Sequence, residues 1–473
     1  MKIVLVGAWW TGMSGVAGIL HDLWYTDIHC IDAVQSELTE KLRSQGLDVI
    51  IGHGKYKVQL WDAVIYSEAV AECEEVQEAR KIMKANKKAM VILNYFQFLG
   101  EVSKYFKSIG FAGTNGKSSS TALAIHTVKD VMPDFWLGIL WAMVPGFNNQ
   151  SYAINKEAKN DIRTIFDYIF TGKNFSSLVS GSSSLIKKRS FLVEACEYKR
   201  HFLHLDLDYA IITSLELDHT DYYQDMEDYL SAYETLISKV RYKVFIPQWL
   251  STEVSSFNQF LESSASIQRV RIETIEFTHL IGDHNTINGS LVLALMKEIL
   301  ANQSATKILT HIKSFWWIWR RLEFLQTNEY GAKIFTDYGH MASSIDLGYQ
   351  ALKKKFPDKK LFVIFQPHQI NRIITGRKDF QHALKKYDKV IIYDIYAARE
   401  NIHDFIDHHA FIKEEHITTL EDLGNHFAKE CWGIYTKDFT MITKEIENTD
   451  SDSIVVIYSA GDIDFKIRKH IGK

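Results

Sequence analysis

Residues 108–118 read SIGFAGTNGKS, an apolar run that ends in a glycine-rich turn, and the SSTALAIHTVKD segment that follows has a helical pattern. This order predicts a strand, a turn and a helix, in which backbone N–H groups wrap a phosphate at the helix N-terminus. Lys117 can then reach the outer phosphates, and the Ser118 hydroxyl can hold Mg²⁺. The strict pattern has glycine where this chain has Phe111, so the loop is a shortened variant. The alternative is a glycine-rich turn that only caps a helix. We expect Lys117 to lie on a solvated part of the loop.

Short apolar runs alternate with longer amphipathic stretches on both sides of this loop, as in parallel sheets covered by helices. The candidate strands are KIVLV, DIHCID, DVIIG, DAVIYS and AMVIL before the loop, FLVEAC, YAIITSL and YKVFIP after it, and KIFTD, KLFVIF, KVIIYDI and SIVVIYSA towards the C-terminus. Helical patterns lie near 286–300 and 303–313, and the serine-rich stretch 171–185 is typical of a loop. The sequence therefore predicts an α/β protein of three domains, 1–107, 108–313 and 314–473, each a mostly parallel sheet with flanking helices.

Composition narrows the possible function. The chain has 473 residues, of which 46% are hydrophobic and 24% charged, and this excludes disorder as its main character. Its net charge of −4 argues against a partner bound by phosphate neutralisation, so we expect no nucleic acid. Four scattered cysteines favour a reduced, cytoplasmic protein. We interpret the N-terminus as a strand rather than a signal peptide, and we expect no membrane insertion because no apolar stretch is long enough to span a bilayer.

Acidic residues and a histidine follow two strands of the central block. Glu194 ends FLVE, and YAIITSL runs on into Glu216, Asp218 and His219. Ligands of open α/β sheets bind at the carboxyl ends of the strands, so Glu194 and His219 can approach Ser118. Oxygen-rich ligation suits a nucleotide-bound Mg²⁺. The alternative for each residue is a solvated charge in a loop.

These motifs together resemble the ATP-dependent Mur ligases of peptidoglycan synthesis, and the resemblance covers all three proposed domains. It implies a Rossmann-like first domain, a P-loop ATPase-like central domain and a Rossmann-like third domain. The family's E-A-x-E and N-x-x-x-D-H segments match here, with Ser214 in place of the asparagine, and they imply metal ligands at Ser118, Glu194 and His219. GDHNTIN, residues 282–288, resembles a segment whose Asn285 would lie near the adenine. The alternative there is a helix start capped by Asp283 or Asn285.

The third domain continues the resemblance. RRLE at 320–323 implies an arginine, Arg321, at the ATP phosphates or the substrate, and DYGH at 337–340 implies Asp337 at the ATP ribose and Tyr338 at the substrate. Met341 and Ala342 depart from the usual pattern. FQPHQINR at 365–372 implies that His368 and Arg372 place the amino acid and the carboxylate, and Gln369 stands where the family often has arginine. Segments 395–400 and 459–463 also resemble the family.

The first domain opens with GAWWTGMSG at 7–15, where family members have G-x-G-G-T-G-M-S-G. The resemblance implies that this domain binds the UDP part of the substrate. Its candidate residues are Gly7, Gly12, Asp32, His53 and Ser67. The alternative is a nicotinamide dehydrogenase, but the second glycine of the dinucleotide-binding fingerprint is missing here. The alternative for His53 is a turn residue within Gly-His-Gly.

The resemblance implies an amide-forming ligase that uses ATP and Mg²⁺. The carboxylate of UDP-N-acetylmuramate would be phosphorylated and then attacked by the amine of L-alanine. The candidate nucleotide-binding residues are Gly113, Thr114, Asn115, Gly116, Lys117, Ser118, Asn285, Arg321 and Asp337. Lys117, Glu194, His219 and Arg321 are the candidate catalytic residues, and we expect a monomer or a weak homodimer. The alternatives are a muropeptide-recycling or folylpolyglutamate-type ligase and a non-catalytic binding protein derived from such an enzyme.

Tryptophan and glycine have unusual abundances. The chain has 11 tryptophans and 25 glycines, and family glycines fall at Trp9, Trp10, Trp141, Trp317 and Trp319. Trp24 stands where a helix should end on glycine. Counting all 11 positions as glycine would give a glycine content of about 7.6%, near the usual ~7%. We hypothesise that the gene uses UGA for glycine. The alternative is that these are true aromatic residues of an interface.

Overall fold

The computed structural model describes residues 1–86, 90–131, 135–171, 189–316, 318–398, 400–406 and 408–472. Over these residues the chain forms three sheets of five, seven and six strands, which confirms the predicted α/β class. It also divides into two compact units, one with residues 1–278 and 286–316 and one with residues 279–285 and 317–473. The first unit holds the first two sheets and the second holds the third sheet. The stretch 171–185, predicted as a loop, lies outside the described residues except for Thr171.

The first sheet is entirely parallel, with the order β3-β2-β1-β4-β5. Its strands are β1 Ile3–Val6, β2 Ile28–Asp32, β3 Asp48–Ile51, β4 Ala63–Tyr66 and β5 Val91–Asn94. The helices of this part are α1 Thr11–Asp22, α2 Glu37–Ser44, α3 Glu74–Ala85 and α4 Tyr95–Ser103. The strand order reverses between β1 and β4, and a ligand-binding crevice forms at such a point in open α/β sheets.

The second sheet has the order β12-β11-β10-β6-β9-β7-β8, and only the β7–β8 pair is antiparallel among the described strands. Its strands are β6 Lys107–Ala112, β7 Phe135–Val144, β8 Gln150–Ile154, β9 Ser190–Glu194, β10 Tyr209–Ile212, β11 Lys243–Pro247 and β12 Ile267–Val270. Its helices are α5 Lys117–Val131, α6 Lys159–Thr171, α7 Met226–Lys239, α8 Ser255–Ser263, α9 Asp283–Ile299 and α10 Ala305–Lys313. Helix α9 begins in the second compact unit and continues in the first.

The third sheet has the order β13-β14-β18-β15-β16-β17, with β13 antiparallel at one edge. Its strands are β13 Glu323–Thr327, β14 Lys333–Asp337, β15 Lys360–Gln366, β16 Lys389–Tyr393, β17 Ile434–Thr436 and β18 Ser453–Ser459. Its helices are α11 Ala342–Lys355, α12 Ile370–Thr375, α13 Arg377–Leu384, α14 His403–Ile406, α15 Ala410–Glu414, α16 Leu420–Glu430, α17 Phe439–Glu447 and α18 Ile463–His470.

The central strands are continuous apolar runs because helices cover both faces of these sheets. Strands β1 and β4, for example, are buried at every residue. Helix α1 of the first sheet packs against the β7–β8 hairpin of the second: Ser151 Oγ donates to Thr11 O at 3.0 Å, and Tyr152 OH donates to Asp22 Oδ2 at 3.1 Å. This packing brings the turn after β1 close to the strand ends of the second sheet.

Candidate active site

The loop between β6 and α5 has the strand–turn–helix context that the sequence predicts. Gly116 has a φ of +90°, and a Cβ there would lie 2.7 Å from Asn288 Oδ1, so only glycine fits. Thr114 Oγ1 donates to Glu216 O at 2.7 Å, and the Asn115 N–H donates to Ser214 Oγ at 2.9 Å. The segment after β10 therefore holds the glycine-rich loop in place.

Lys117 is not in a solvated position, and our expectation for it was wrong. Its Nζ donates to Gly113 O at 2.6 Å and to Thr114 O at 3.1 Å, and it lies 2.8 Å from Glu197 Oε1. Burial alone would lower the pKa of Lys117, but the Glu197 carboxylate outweighs it and the net shift is upward. The ammonium group is therefore kept charged next to the loop.

Ser118 and Glu194 are in direct contact, as the strand-end argument predicts. Ser118 Oγ donates to Glu194 Oε1 at 2.8 Å, and the Trp141 N–H donates to Glu194 Oε2 at 2.8 Å. Both Ser118 and Glu194 are buried. The hydroxyl and the carboxylate thus offer adjacent oxygen atoms at the start of α5.

His219 lies beside two acidic residues that our sequence analysis did not name as ligands. His219 Nε2 is 3.8 Å from Glu197 Oε1 and 3.8 Å from Asp218 Oδ2, and one ligand atom from each of the three residues falls within 4.8 Å of the others. Both acids stand in the segments that carry Glu194 and His219. The signal available in the sequence was the second acid of E-A-C-E and the acid immediately before His219.

A divalent cation fits this part of the site. Glu197 is fully buried, and its Oε2 has no hydrogen-bond partner. A buried carboxylate oxygen without a partner is costly, and a bound cation would satisfy it. The possible ligands grouped with it are the Asp218 carboxylate and the His219 imidazole, and two carboxylates with one imidazole are compatible with a divalent cation.

The residues proposed for the first sheet lie along its carboxyl edge. Gly7 has a φ of +89°, and a Cβ there would lie 2.7 Å from the Ser67 Cβ, so the two residues meet where the strand order reverses. Asp32 ends β2, where its Oδ2 accepts from the Trp9 N–H at 2.9 Å and burial raises the pKa of its carboxyl group. His53 lies in the turn after β3, and its Nδ1 is 3.1 Å from Oε2 of Glu75, a buried acid of helix α3. This contact holds the His53 ring in place.

Aromatic rings fill the space next to Gly12 and Glu194. The ring of Trp10 lies 4.6 Å from that of Tyr95 and 5.1 Å from that of Trp141, centroid to centroid. A Cβ at Gly12 would lie 2.8 Å from the Trp10 ring. Since the Trp141 backbone contacts Glu194, this cluster extends from the turn after β1 to the end of β9.

In the second unit, Asp337 fixes the turn that carries two arginines. Its Oδ2 accepts from the Leu322 N–H at 2.7 Å, its Oδ1 accepts from the Gly339 N–H at 2.6 Å, and burial raises the pKa of its carboxyl group. The Arg321 guanidinium lies 5.4 Å from the centroid of the Tyr338 ring, and its buried Nε has no hydrogen-bond partner. Arg321 therefore retains capacity to bind an anion.

Helix α9 begins at Asp283, so both Asp283 and Asn285 lie within its first turn and neither stands at the N-cap; Asn285 Nδ2 donates to Ile281 O at 2.9 Å. The neighbouring His284 has its pKa lowered to about 4 by burial and by the charge of Arg321. These two residues belong to the second compact unit together with Arg321 and Asp337.

His368 and Arg372 lie together after β15, as the sequence motif predicts. Arg372 Nη1 is 3.3 Å from His368 Nδ1, and the His368 ring stacks on Tyr396 with centroids 5.7 Å apart. The His340 ring is 6.0 Å from that of His368. Of segment 395–400, Arg399 lies outside the described residues.

The fold and the loop define a class: α/β enzymes that bind a nucleotide phosphate at the start of a helix and carry acidic groups at the neighbouring strand ends. Residues 111–253 match the Mur ligase middle domain. The central part of the chain is therefore similar to that of the Mur ligases.

Similar proteins cover nearly the full length of the chain. The UDP-N-acetylmuramate–L-alanine ligase of Clostridium botulinum is 27% identical, over 98% of this chain and 95% of the relative. The crystal structure of UDP-N-acetylmuramate–alanine ligase from Thermotoga maritima has a TM-score of 0.71 at 19% identity, covering 100% of this chain and 98% of that one. Folylpolyglutamate synthase of Mycobacterium tuberculosis, solved with ADP and AMPPCP, has a TM-score of 0.55 at 14% identity, covering 80% and 94%.

Proposed function

We propose that this protein is an ATP-dependent ligase that joins L-alanine to the carboxylate of UDP-N-acetylmuramate in peptidoglycan precursor synthesis. The observation that carries the proposal is the contact of Lys117 and Ser118 with the buried acids Glu197 and Glu194, in a chain that aligns almost end to end with ligases of this name. ATP use is typical of this family.

The chemistry begins with phosphoryl transfer, which needs positioning and charge neutralisation more than covalent help from the protein. Gly113, Thr114, Asn115 and Gly116 would surround the phosphates of ATP, and Lys117 would leave Glu197 to reach the γ-phosphate. The substrate carboxylate takes up the γ-phosphoryl group, giving an acyl phosphate and ADP. The neutral amine of L-alanine then attacks the acyl carbon, the amide forms, and phosphate leaves as the amine loses a proton. Mg²⁺, which Ser118, Glu194 and His219 would hold, neutralises phosphate charge when bound.

The remaining candidate residues would bind the rest of the substrates. In the first sheet, Gly7, Gly12, Asp32, His53 and Ser67 would bind the UDP group at the point where the strand order reverses. In the second unit, Asn285, Arg321 and Asp337 would contact ATP. The residues we assign to the amino acid and the carboxylate are Tyr338, His368 and Arg372.

We also propose that the enzyme works in the cytoplasm as a monomer or weak homodimer. All four cysteines are free and three of them are buried, which supports a reducing compartment. Across the described residues, no helix has the length and apolar character needed to cross a bilayer. Light scattering after size-exclusion chromatography tests the oligomeric state.

An amino-acid panel tests the proposed reaction. Phosphate release from ATP is measured with UDP-N-acetylmuramate and, in turn, L-alanine, glycine, L-serine and a muropeptide-type tripeptide. We expect release that requires both ATP and the sugar nucleotide and is fastest with L-alanine. Preference for the tripeptide would indicate a recycling ligase instead. Nucleotide binding without turnover would indicate a binding protein derived from a ligase.

A further inference from the structure

Two tryptophans occupy a backbone position that favours glycine. Helix α1 ends at Asp22, and Trp24 has a φ of +61°. The Trp24 N–H donates to His21 O at 2.9 Å, and the Tyr25 N–H donates to Leu20 O at 3.1 Å. This is the Schellman arrangement, whose left-handed residue is usually glycine because a Cβ is strained there.

The end of α16 repeats this geometry. Trp432 has a φ of +58°, its N–H donates to Lys429 O at 3.2 Å, and the Gly433 N–H donates to Ala428 O at 2.8 Å. Trp432 is also the most exposed of the large hydrophobic side chains described, at 76%. Its ring does have the Lys385 ammonium 4.7 Å from its centroid, but an exposed cation–π contact does not exceed the strain of a left-handed backbone at a residue with a Cβ.

The same chain uses glycine in the same motif elsewhere. After α2, Gly46 has a φ of +85°, its N–H donates to Arg43 O at 2.9 Å, and the Leu47 N–H donates to Leu42 O at 3.2 Å. His416 shows that other residues also occur at such a position, with a φ of +53°. A positive φ alone therefore does not show that a position needs glycine. The burial of the tryptophans is a second observation.

Tryptophan has a large apolar side chain and is usually well buried in folded proteins. Among the tryptophans whose side chains the structure describes, none is buried. Six of them are exposed: Trp9, Trp24, Trp61, Trp249, Trp316 and Trp432. The largest fully buried side chains of the described chain are tyrosines and phenylalanines. The largest core positions are thus filled by tyrosine and phenylalanine, whereas six of the described tryptophans are exposed and only Trp10 and Trp141 pack, partly buried, against the largest core cluster.

The partly buried tryptophans Trp10 and Trp141 lie at the candidate site. The Trp10 ring lies against Gly12 and packs on the Trp141 ring, while the backbone N–H of Trp141 donates to Glu194 Oε2. Glycine at both positions would remove two of the four rings of this cluster, leaving Tyr95 and Phe96, and would widen the space between the turn after β1 and the acidic strand end. A substrate with a diphosphate near one end and a reacting carboxylate at the other needs such a path, and this step of the argument rests on the proposed function.

We infer that the native protein carries glycine at the tryptophan positions of this sequence, because its gene has UGA codons there and the cell translates UGA as glycine. This inference accounts for the left-handed backbone conformation of Trp24 and Trp432, for the exposed indoles and for the aromatic cluster at the site. The identity of these residues does not depend on the enzyme's activity, so it can be tested separately from the proposed function.

The deciding experiment compares the codons with the protein made by its own cells. We expect UGA at the 11 positions and, by mass spectrometry, glycine in the tryptic peptides that contain residues 24 and 432. UGG codons, or tryptophan in those native peptides, would overturn the inference.

A stability series tests the backbone argument. W24G and W432G should each shift the folding equilibrium of the tryptophan form towards the folded state, by roughly three- to tenfold. W249G is the control, since Trp249 is also exposed but is not among the residues with positive φ. If W24G and W432G stabilise the folded state no more than W249G does, the inference drawn from the positive φ of Trp24 and Trp432 is wrong.

Binding of UDP-N-acetylmuramate by the all-glycine protein separates the two proposals. We expect binding by the all-glycine form and at least tenfold weaker binding when Trp10 and Trp141 are retained. Native glycine peptides together with no binding by the all-glycine form would refute the proposed function and leave the residue assignment intact. Equal binding by both forms would refute the open path between Gly12 and Glu194.

Discussion

The ammonium group of Lys117 lies 2.8 Å from Glu197 Oε1, in a pair whose acid is fully buried and whose lysine is mostly buried. Lys117, for which we propose a role in phosphate binding, is therefore neutralised by a carboxylate. When a γ-phosphate takes over Lys117, the charge of Glu197 must be balanced by another cation. The unpartnered Oε2 of Glu197 and the nearby His219 suit a metal ion in that role.

The first prediction concerns Lys117→Ala. Loss of the charge that meets the γ-phosphate should lower kcat by about 10²–10³-fold. The substitution also leaves Glu197 buried and unpaired, which should lower the free energy of unfolding by about 3–5 kcal/mol. Phosphate-release kinetics and urea denaturation measure the two effects.

The double variant K117A/E197Q separates the effect on turnover from the effect on stability. Removing both charges should restore most of the lost stability, because no buried charge is left unpaired, but it should not restore turnover. Full stability in the single Lys117→Ala variant would contradict the buried ion pair, and near-normal turnover would contradict the role of Lys117.

The second prediction concerns metal binding. Glu194→Gln replaces a charged oxygen ligand by an amide next to Ser118, so a higher Mg²⁺ concentration should be needed for half-maximal activity. The matched control is Glu227→Gln, an exposed acid in the first turn of α7. A Mg²⁺ titration that is the same for parent, Glu194→Gln and Glu227→Gln would rule out Glu194 as a ligand.

The sequence was sufficient to predict those features of the fold and site that depend on short, local patterns. The strand–turn–helix at 107–131 and the polar strand ends at Glu194 and His219 follow from short apolar runs and a glycine-rich turn. The contact of Glu194 with Ser118 follows from the parallel pairing of β9 with β6, whereas the described contacts of His219 are with Glu197 and Asp218. The clustering of His368 with Arg372 does not follow from helical spacing, because His368 precedes α12 and Gln369 has a φ of +69°; the sequence placed them together only through the shared motif.

Long-range pairings were not predictable in this way. The β7–β8 hairpin begins in an apolar run that fits a strand or a buried helix equally well, and its antiparallel edge position depends on the helix α1 that covers it. The contact of His53 with Glu75 joins a turn to a helix 22 residues later, without a local signal. The burial of Lys117 depends on Glu197, which arrives from another strand.

The third prediction concerns pH. His201 is buried and its ring stacks on Phe96, with centroids 3.9 Å apart, and burial lowers its pKa from 6.5 to about 4. Between these values the unfolded chain takes up a proton that the folded form does not. Stability from this group is therefore lost as the pH falls from 6.5 towards 4, by up to about 1.4 kcal/mol per pH unit.

His201→Phe should weaken this pH dependence, because the ring stack can be kept without a titrating group. Urea unfolding at pH 7 and pH 5 gives the comparison, and the exposed His403→Phe controls for the general effect of removing an imidazole. A parent and a His201→Phe variant that lose equal stability on acidification would contradict the prediction.

The last prediction concerns amino-acid binding at the end of β15. Arg372 is held beside His368, with 3.3 Å between Nη1 and Nδ1, and its charge is suited to a carboxylate. If it binds the carboxylate of L-alanine, Arg372→Ala removes a charge-assisted hydrogen bond, a loss of about 1.5–3 kcal/mol, and should raise the KM for L-alanine by roughly 10- to 100-fold. The KM for ATP should stay within about twofold, since we assign the nucleotide to other residues. Lys378→Ala, which removes an exposed positive charge on α13, is the control for general electrostatics. Equal increases in both KM values would show that Arg372 supports the fold of this region rather than the amino acid.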